Sequence, residues 1–131
     1  MPQKIVNIIK KDIKKKKISI LLLGISYKKN VNDLRESAAI KIMKIFKKNK
    51  ILFRYHDQFF KKIDLNFNTV TENKSFKITG VNLEKFDGVL IIADHDNVNY
   101  DFIFKNSKKI FDTKNIVSKK YKKYINKTIK L

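Results

Sequence analysis

The chain has 131 residues, no cysteine and a formal net charge of +19. That length supports one domain, able to bury about two-thirds of the surface its unfolded form exposes. The absence of cysteine excludes a disulfide framework and any thiolate zinc site, and no apolar stretch approaches the roughly 20 residues that span a bilayer.

The first element in the chain is an expected amphipathic helix over residues 3–17, with Pro2 suited to its first turn and Ile5, Val6, Ile8, Ile9 and Ile13 at near-helical spacing. Asn7 interrupts the apolar run and lysines follow it, which is unlike a signal peptide, so a soluble cytoplasmic domain is the default. Lys14 to Lys17 read as a solvated helix end favoured by the helix dipole. Ile18 to Leu23 is a nearly continuous apolar run of the kind covered on both faces in a parallel sheet. A loop from Gly24 to Asn32 leads to Asp33, an expected N-cap completed by Glu36 as a capping box. The helix behind it carries Ala38, Ala39, Ile42, Met43, Ile45 and Phe46 on one face and ends near Asn49.

Ile51 to Tyr55 predicts a second strand, ending in His56-Asp57. Residues 58–80 show no clear period. Asn82 to Phe86 suggests a helical turn, Val89 to Ala93 a buried strand followed by Asp94-His95-Asp96, and Tyr100 to Asn106 a helix. Lys109 to Phe111 reads as a further strand ending in Asp112-Thr113-Lys114-Asn115, and the basic tail from Lys119 as a frayed helix. The polar clusters thus all follow strands, and in a parallel sheet those ends share one edge. There they form a rim, with lysines suited to phosphate and carboxylates suited to hydroxyls. Taken singly, an Asp after a strand is more often a turn or cap residue than a ligand.

Other chemistries find less support. His56, Asp57, Asp94, His95 and Asp96 are metal-ligand types, but no spacing fixes two of them on one helix face, so no metal site is expected. There is no Gly-x-Ser-x-Gly and no Gly-x-Gly-x-x-Gly, since Gly24 stands alone in its loop. The charge raises a nucleic-acid reading. However, only Arg35 and Arg54 among the 31 basic residues are arginine, the residue best suited to two-point phosphate and base contacts. Heavy use of lysine, isoleucine and asparagine fits an AT-rich coding composition. No specific nucleic-acid partner is expected, and a membrane-surface role for the first helix is weak for want of an aromatic anchor.

Five segments, in order, resemble the UDP-binding domain of the UDP-glucose/GDP-mannose (nucleotide-sugar) dehydrogenase family. Met1-Pro2 resembles the Met-Pro that opens the helix leading into that domain. Gly24-Ile25-Ser26-Tyr27-Lys28 with Asp33-Leu34-Arg35-Glu36-Ser37 follows the family's Gly-x-Ala-Tyr-Lys and Asp-x-Arg-Glu-Ser. Tyr55-His56-Asp57 is similar to its Tyr-x-Asp-Pro, with Gln58 in place of proline. Asp94-His95 resembles its Thr-Asp-His, the form of the UDP-N-acetylhexosamine branch, and Asp112-Thr113-Lys114-Asn115 its Asp-Thr-Arg-Asn.

The resemblance implies an α/β, three-layer Rossmann-like domain with a mainly parallel sheet, in which residues 1–17 are a connecting helix and 18–131 the UDP-sugar-binding domain. It implies that Tyr27, Lys28 and Lys114 contact the UDP-sugar and that Arg35 reaches NAD bound mainly on another domain. Lys114 keeps the charge of the family's arginine but not its planar fork. The family's catalytic cysteine and NAD-binding half are missing, so the resemblance implies no catalytic residue here. The expectation is a truncated, split or decayed product, inactive alone as an NAD-dependent oxidoreductase. A separately encoded NAD-binding and catalytic chain is the implied partner, and Ile5, Ile8, Ile9 and Ile13 would pack against it. The alternative from a different class is a non-enzymatic basic α/β protein binding polyanions such as nucleic acid.

Overall fold

The computed structural model describes residues 2–26, 37–63, 74–78 and 83–131. In chain order these form α1 (Pro2–Asp12), β1 (Ser19–Leu23), α2 (Ala38–Lys48), β2 (Leu52–His56) and β3 (Gly88–Ile91). They continue with α3 (Tyr100–Lys105), β4 (Ile110–Asp112), α4 (Ile116–Lys120), a 3-10 helix (Lys122–Lys127) and β5 (Thr128–Lys130). The strands make one sheet in the order β2-β1-β3-β4-β5. Every neighbouring pair is parallel: Leu22 lies beside Tyr55 and Leu90, Phe111 beside Leu90 and Ile129. The order reverses direction between β1 and β3, the switch point at which open α/β sheets leave a crevice.

Alternation along the strands builds two cores. Ile20 and Leu22 of β1 face one side, packing with Val6, Ile9 and Ile13 of α1 and with Ala39, Ile42, Met43 and Phe46 of α2. Leu21 and Leu23 face the other, with Tyr100, Ile103 and Phe104 of α3 and Ile116 and Val117 of α4. All four β1 residues are essentially inaccessible to solvent. Each such aliphatic side chain contributes about 1.5–3 kcal/mol of burial free energy, which explains why this strand carries no alternation of polarity.

Several boundaries differ from those the sequence suggests, for physical reasons. α1 stops at Asp12 rather than residue 17 because the chain turns under the sheet to enter β1. Lys14 to Lys17 are exposed as expected but lie beyond the helix, and Lys15 pairs with Asp87 at 2.7 Å, while the second Asp87 oxygen accepts the Ser19 N–H at 2.9 Å. Ile9 and Ile13 are not left for a partner: they are buried in this chain's own core, and only Ile5 and Ile8 of that expected face remain partly exposed. The N-cap of α2 is Ser37, not Asp33. Its hydroxyl accepts the Ala39 N–H at 3.2 Å and donates to the Ile25 carbonyl at 2.5 Å, tying the helix start to the exit of β1. Asp33 and Glu36 lie outside the described residues.

The basic tail is not a frayed helix. Tyr121 and Tyr124 pack edge-on against Phe104 with centroids 5.4 and 5.9 Å away, and the Lys127 ammonium donates to the Ser107 carbonyl at 2.7 Å. That anchoring delivers Thr128–Lys130 alongside β4 as a fifth strand.

Candidate functional site

The carboxyl ends of β1, β2, β3 and β4 share one edge, and the polar clusters that follow them are held there by a few side chains. β1 leaves the sheet through Gly24, whose backbone φ is 75°. A Cβ at that position would lie 2.2 Å from the Ala93 carbonyl oxygen, so only glycine allows the β1 turn to press against the exit of β3. The Gly24 N–H donates to the His56 carbonyl at 2.9 Å, extending the β1–β2 ladder by one residue.

Beneath this crossing lies a buried polar network. The Asp57 carboxylate accepts the Ile25 N–H at 2.7 Å on Oδ2 and the Phe59 N–H at 2.8 Å on Oδ1. His95 Nε2 lies 3.0 Å from Asp57 Oδ2 and 3.1 Å from Ser26 Oγ. Asp57 is 1% exposed and His95 and Ser26 2% each. Burial pushes the Asp57 carboxyl up, but the hydrogen bonds from His95, Ile25 and Phe59 outweigh it and hold the group below the usual carboxylate range. An ionised Asp57 accepts only, so the ring proton sits on Nε2. Ser26 and Asp57 therefore meet the same ring nitrogen. A Ser-His-Asp nucleophile needs them on opposite nitrogens, and the arrangement is structural rather than nucleophilic.

Asp112 does the same work at the end of β4. Its Oδ1 accepts the Lys114 N–H and its Oδ2 the Val117 N–H, both at 2.9 Å, closing the turn into α4. The Thr113 hydroxyl donates to the Ile91 carbonyl at 2.6 Å, binding that turn back to β3. Asp57 and Asp112, expected at the rim as carboxylates for ligand hydroxyls, are thus taken up by backbone N–H groups, as an Asp after a strand commonly is.

Residues 21–119 match the model of the UDP-glucose/GDP-mannose dehydrogenase family, UDP binding domain, from within β1 to within α4. The chain belongs to this family. It is 32% identical to the UDP-N-acetyl-D-mannosamine dehydrogenase of Methanocaldococcus jannaschii, across 91% of this chain and 28% of that protein. Among solved structures it resembles the UDP-N-acetyl-mannosamine dehydrogenase Cap5O of Staphylococcus aureus, with a TM-score of 0.65 at 27% identity over 88% of this chain and 27% of that one. A UDP-D-ManNAc dehydrogenase from Pyrococcus horikoshii gives a TM-score of 0.62 at 25% identity. The chain spans a little over a quarter of the length of these relatives, and what it matches is the family's C-terminal, UDP-binding domain.

Of the residues to which the family resemblance gives contacts, Tyr27, Lys28 and Arg35 lie outside the described residues; the structure reaches Ser26, one position before Tyr27. Lys114 is exposed on the turn after β4. β3 separates β1 from β4, so the ends of these two strands stand about 10 Å apart along the edge. The same edge carries a cavity of about 130 Å³ walled by Asp94, Tyr100, Ile116, Lys120 and Tyr121. A wider cleft of about 510 Å³ opens between His56, Lys77, Ile78, Asn97, Val98 and Phe102, within the usual size of a small-molecule site. Burial and the nearby Asp94 carboxylate push the Tyr100 hydroxyl well up, so it stays a neutral donor, held to the His95 carbonyl at 3.1 Å.

Relatives in the family are dehydrogenases, which use NAD. Gly24 packs against Ala93, and the sequence after β1 has no Gly-x-Gly-x-x-Gly for a dinucleotide pyrophosphate. Among the described residues no three His, Asp or Glu side chains gather as a metal site, and no helix is long and apolar enough to cross a membrane. The Ser26–His95–Asp57 link, and Phe59 and Ser37 beside it, were not legible as a unit in the sequence. The only signal was that Asp57 and His95 each follow an apolar strand.

Proposed function

We propose that this chain, in the cytoplasm, holds the UDP part of a UDP-N-acetylhexosamine at the carboxyl edge of its sheet, for oxidation by an NAD-dependent dehydrogenase. Residues 18–131 form the binding domain and 1–17 the connection to the rest of the enzyme. Tyr27 and Lys28 after β1 and Lys114 on the β4 turn contact the UDP-sugar, and Arg35 contacts NAD bound mainly on the NAD-binding and catalytic half of the enzyme. The observation that carries this reading is the convergence, on one edge of a parallel sheet, of the turns that bear the family's motifs, two of them fixed by buried aspartates. A lysine ammonium there meets a diphosphate as a compact charge with three donors.

Oxidising the sugar alcohol to an acid needs a hydride acceptor, which NAD supplies when bound, and a thiol to carry the aldehyde stage. With no cysteine and no Gly-x-Gly-x-x-Gly, this chain contributes binding and orientation only. The purified 131-residue chain is therefore expected to give no NADH with any UDP-hexose or UDP-N-acetylhexosamine, followed by absorbance. Steady NADH formation above background contradicts this assignment of roles.

Lys28→Ala is expected to weaken UDP binding by about 1.5–3 kcal/mol, roughly ten- to a hundredfold, as loss of a charge-assisted contact. Lys16→Ala serves as the control. Lys16 is exposed before the amino end of β1, about one strand length, roughly 16 Å, from the edge in question, and should change binding little. Lys114→Arg should tighten UDP-sugar binding by restoring a two-point fork. Calorimetry in about 150 mM salt reads all three. Equal losses at Lys28 and Lys16 favour diffuse attraction of polyanions instead.

A further inference from the structure

The residue before Tyr27 is Ser26, and what fixes Ser26 decides where any ligand-holding side chain on the β1 turn begins. Three sequence-distant segments meet there on one imidazole. Ser26 belongs to the exit of β1, Asp57 to the exit of β2 and His95 to the exit of β3, with Nε2 within 3.1 Å of the first and 3.0 Å of the second. His95 is held from two further directions, one on its ring and one on its backbone. Phe59 meets it edge-on with centroids 4.9 Å apart, and the Tyr100 hydroxyl donates to the His95 carbonyl at 3.1 Å. Through Asp57 the grip extends to the Ile25 N–H. Neither a nucleophile nor a metal accounts for a buried histidine in this place.

We propose that His95 is the positioning residue of the UDP-holding turn: its Nε2, shared by Asp57 and Ser26, locks the β1 exit against β2 and β3 at the residue that precedes Tyr27 and Lys28. This rests on the reading of the β1 turn as the UDP site. A substitution that removes the donor frees the turn without opening the cores on either side of the sheet. A side chain that presents an N–H at the position of Nε2 preserves the lock, and glutamine does so.

The test compares the parent chain with His95→Ala, His95→Gln, Ser26→Ala and Lys28→Ala, using UDP itself as the probe. In His95→Ala, amide exchange at Ile25 should accelerate at least about tenfold while exchange at Phe46, deep in α2, stays unchanged. UDP affinity should fall about tenfold, with most of it recovered in His95→Gln. Exchange that rises equally at Ile25 and Phe46 marks a merely structural loss and overturns the proposal. So does a folded His95→Ala that binds UDP like the parent while Lys28→Ala does not. If Lys28→Ala is also without effect, the UDP site itself has been misplaced and the positioning role falls with it. Where His95→Ala does not fold, Ser26→Ala decides: affinity falls about threefold at an unchanged melting temperature if the lock holds the turn, and unchanged affinity overturns it.

Discussion

Replacing Asp57 by alanine is expected to destabilise the domain by about 3–5 kcal/mol, because it removes a buried, hydrogen-bonded carboxylate and leaves the three donors that faced it unpaired. Two backbone N–H donors, of Ile25 and Phe59, and the His95 ring N–H lose their acceptor in a region closed to water. Asp57→Asn should cost less, about 1–3 kcal/mol: the amide keeps one oxygen, so whichever way it is turned its NH2 faces one of the donors. The two variants also separate in acid. The folded carboxyl lies below its ordinary value of 3.8, so its contribution is fully present above that value and is lost as pH falls through the lower folded value. Denaturant melts of the parent from neutral pH to below 3.8 should therefore show a stability loss that Asp57→Asn lacks. A parent and an Asp57→Asn variant with the same acid slope would contradict the ionised, hydrogen-bonded assignment.

Gly24→Ala is the second substitution with a large expected effect. Its left-handed backbone costs a side chain about 1–2 kcal/mol. The added Cβ would also lie 2.2 Å from the Ala93 carbonyl oxygen and 2.8 Å from the Ala93 Cβ, contacts with backbone that no rotamer change relieves. Together these should cost about 3 kcal/mol or more, a drop of roughly 10 °C or more in Tm. Gly88→Ala is the comparison. There the nearest atom is the Phe111 ring edge at 2.9 Å, with a backbone that any residue adopts. A Gly24→Ala protein as stable as Gly88→Ala would mean that the β1 turn does not pack on β3 as described.

The strands that form the centre of the sheet were legible because they are covered on both faces, which leaves uninterrupted runs such as Ile20 to Leu23 and Val89 to Ile92. α2 was legible from its apolar stripe, with Ala39, Ile42, Met43 and Phe46 buried as read. β5 was not: Thr128–Lys130 is short and half-exposed, and it pairs only because aromatic packing on Phe104 brings the tail to β4. The cap of α2 was misplaced because Asp33 and Glu36 make the stronger local motif. Ser37 is chosen by a tertiary contact, its bond to the Ile25 carbonyl, and no local pattern encodes that.

The shared strand edge and the family were legible in the sequence, since the motifs are local and ordered. The sequence did not reveal which strand-end carboxylates are taken up by backbone N–H groups. Asp57 and Asp112 look like the other strand-end acids until their backbone partners are seen, and those partners come from residues as distant as Ile25. The packing of Ile9 and Ile13 on α1 was misread for a related reason. An apolar helix face reads the same whether it meets its own sheet or another chain, and here Ile9 and Ile13 meet Ile20 and Leu22 in one core.

The central claim, that the edge is a UDP site rather than a generally basic surface, is tested most directly by titrating the parent chain with UDP and with inorganic diphosphate over a range of salt from about 50 to 200 mM. A site that engages more than the phosphates binds UDP more tightly than diphosphate throughout, with an affinity that falls far less than a thousandfold across the range. Equal affinities for the two ligands, collapsing together as salt rises, would contradict the account.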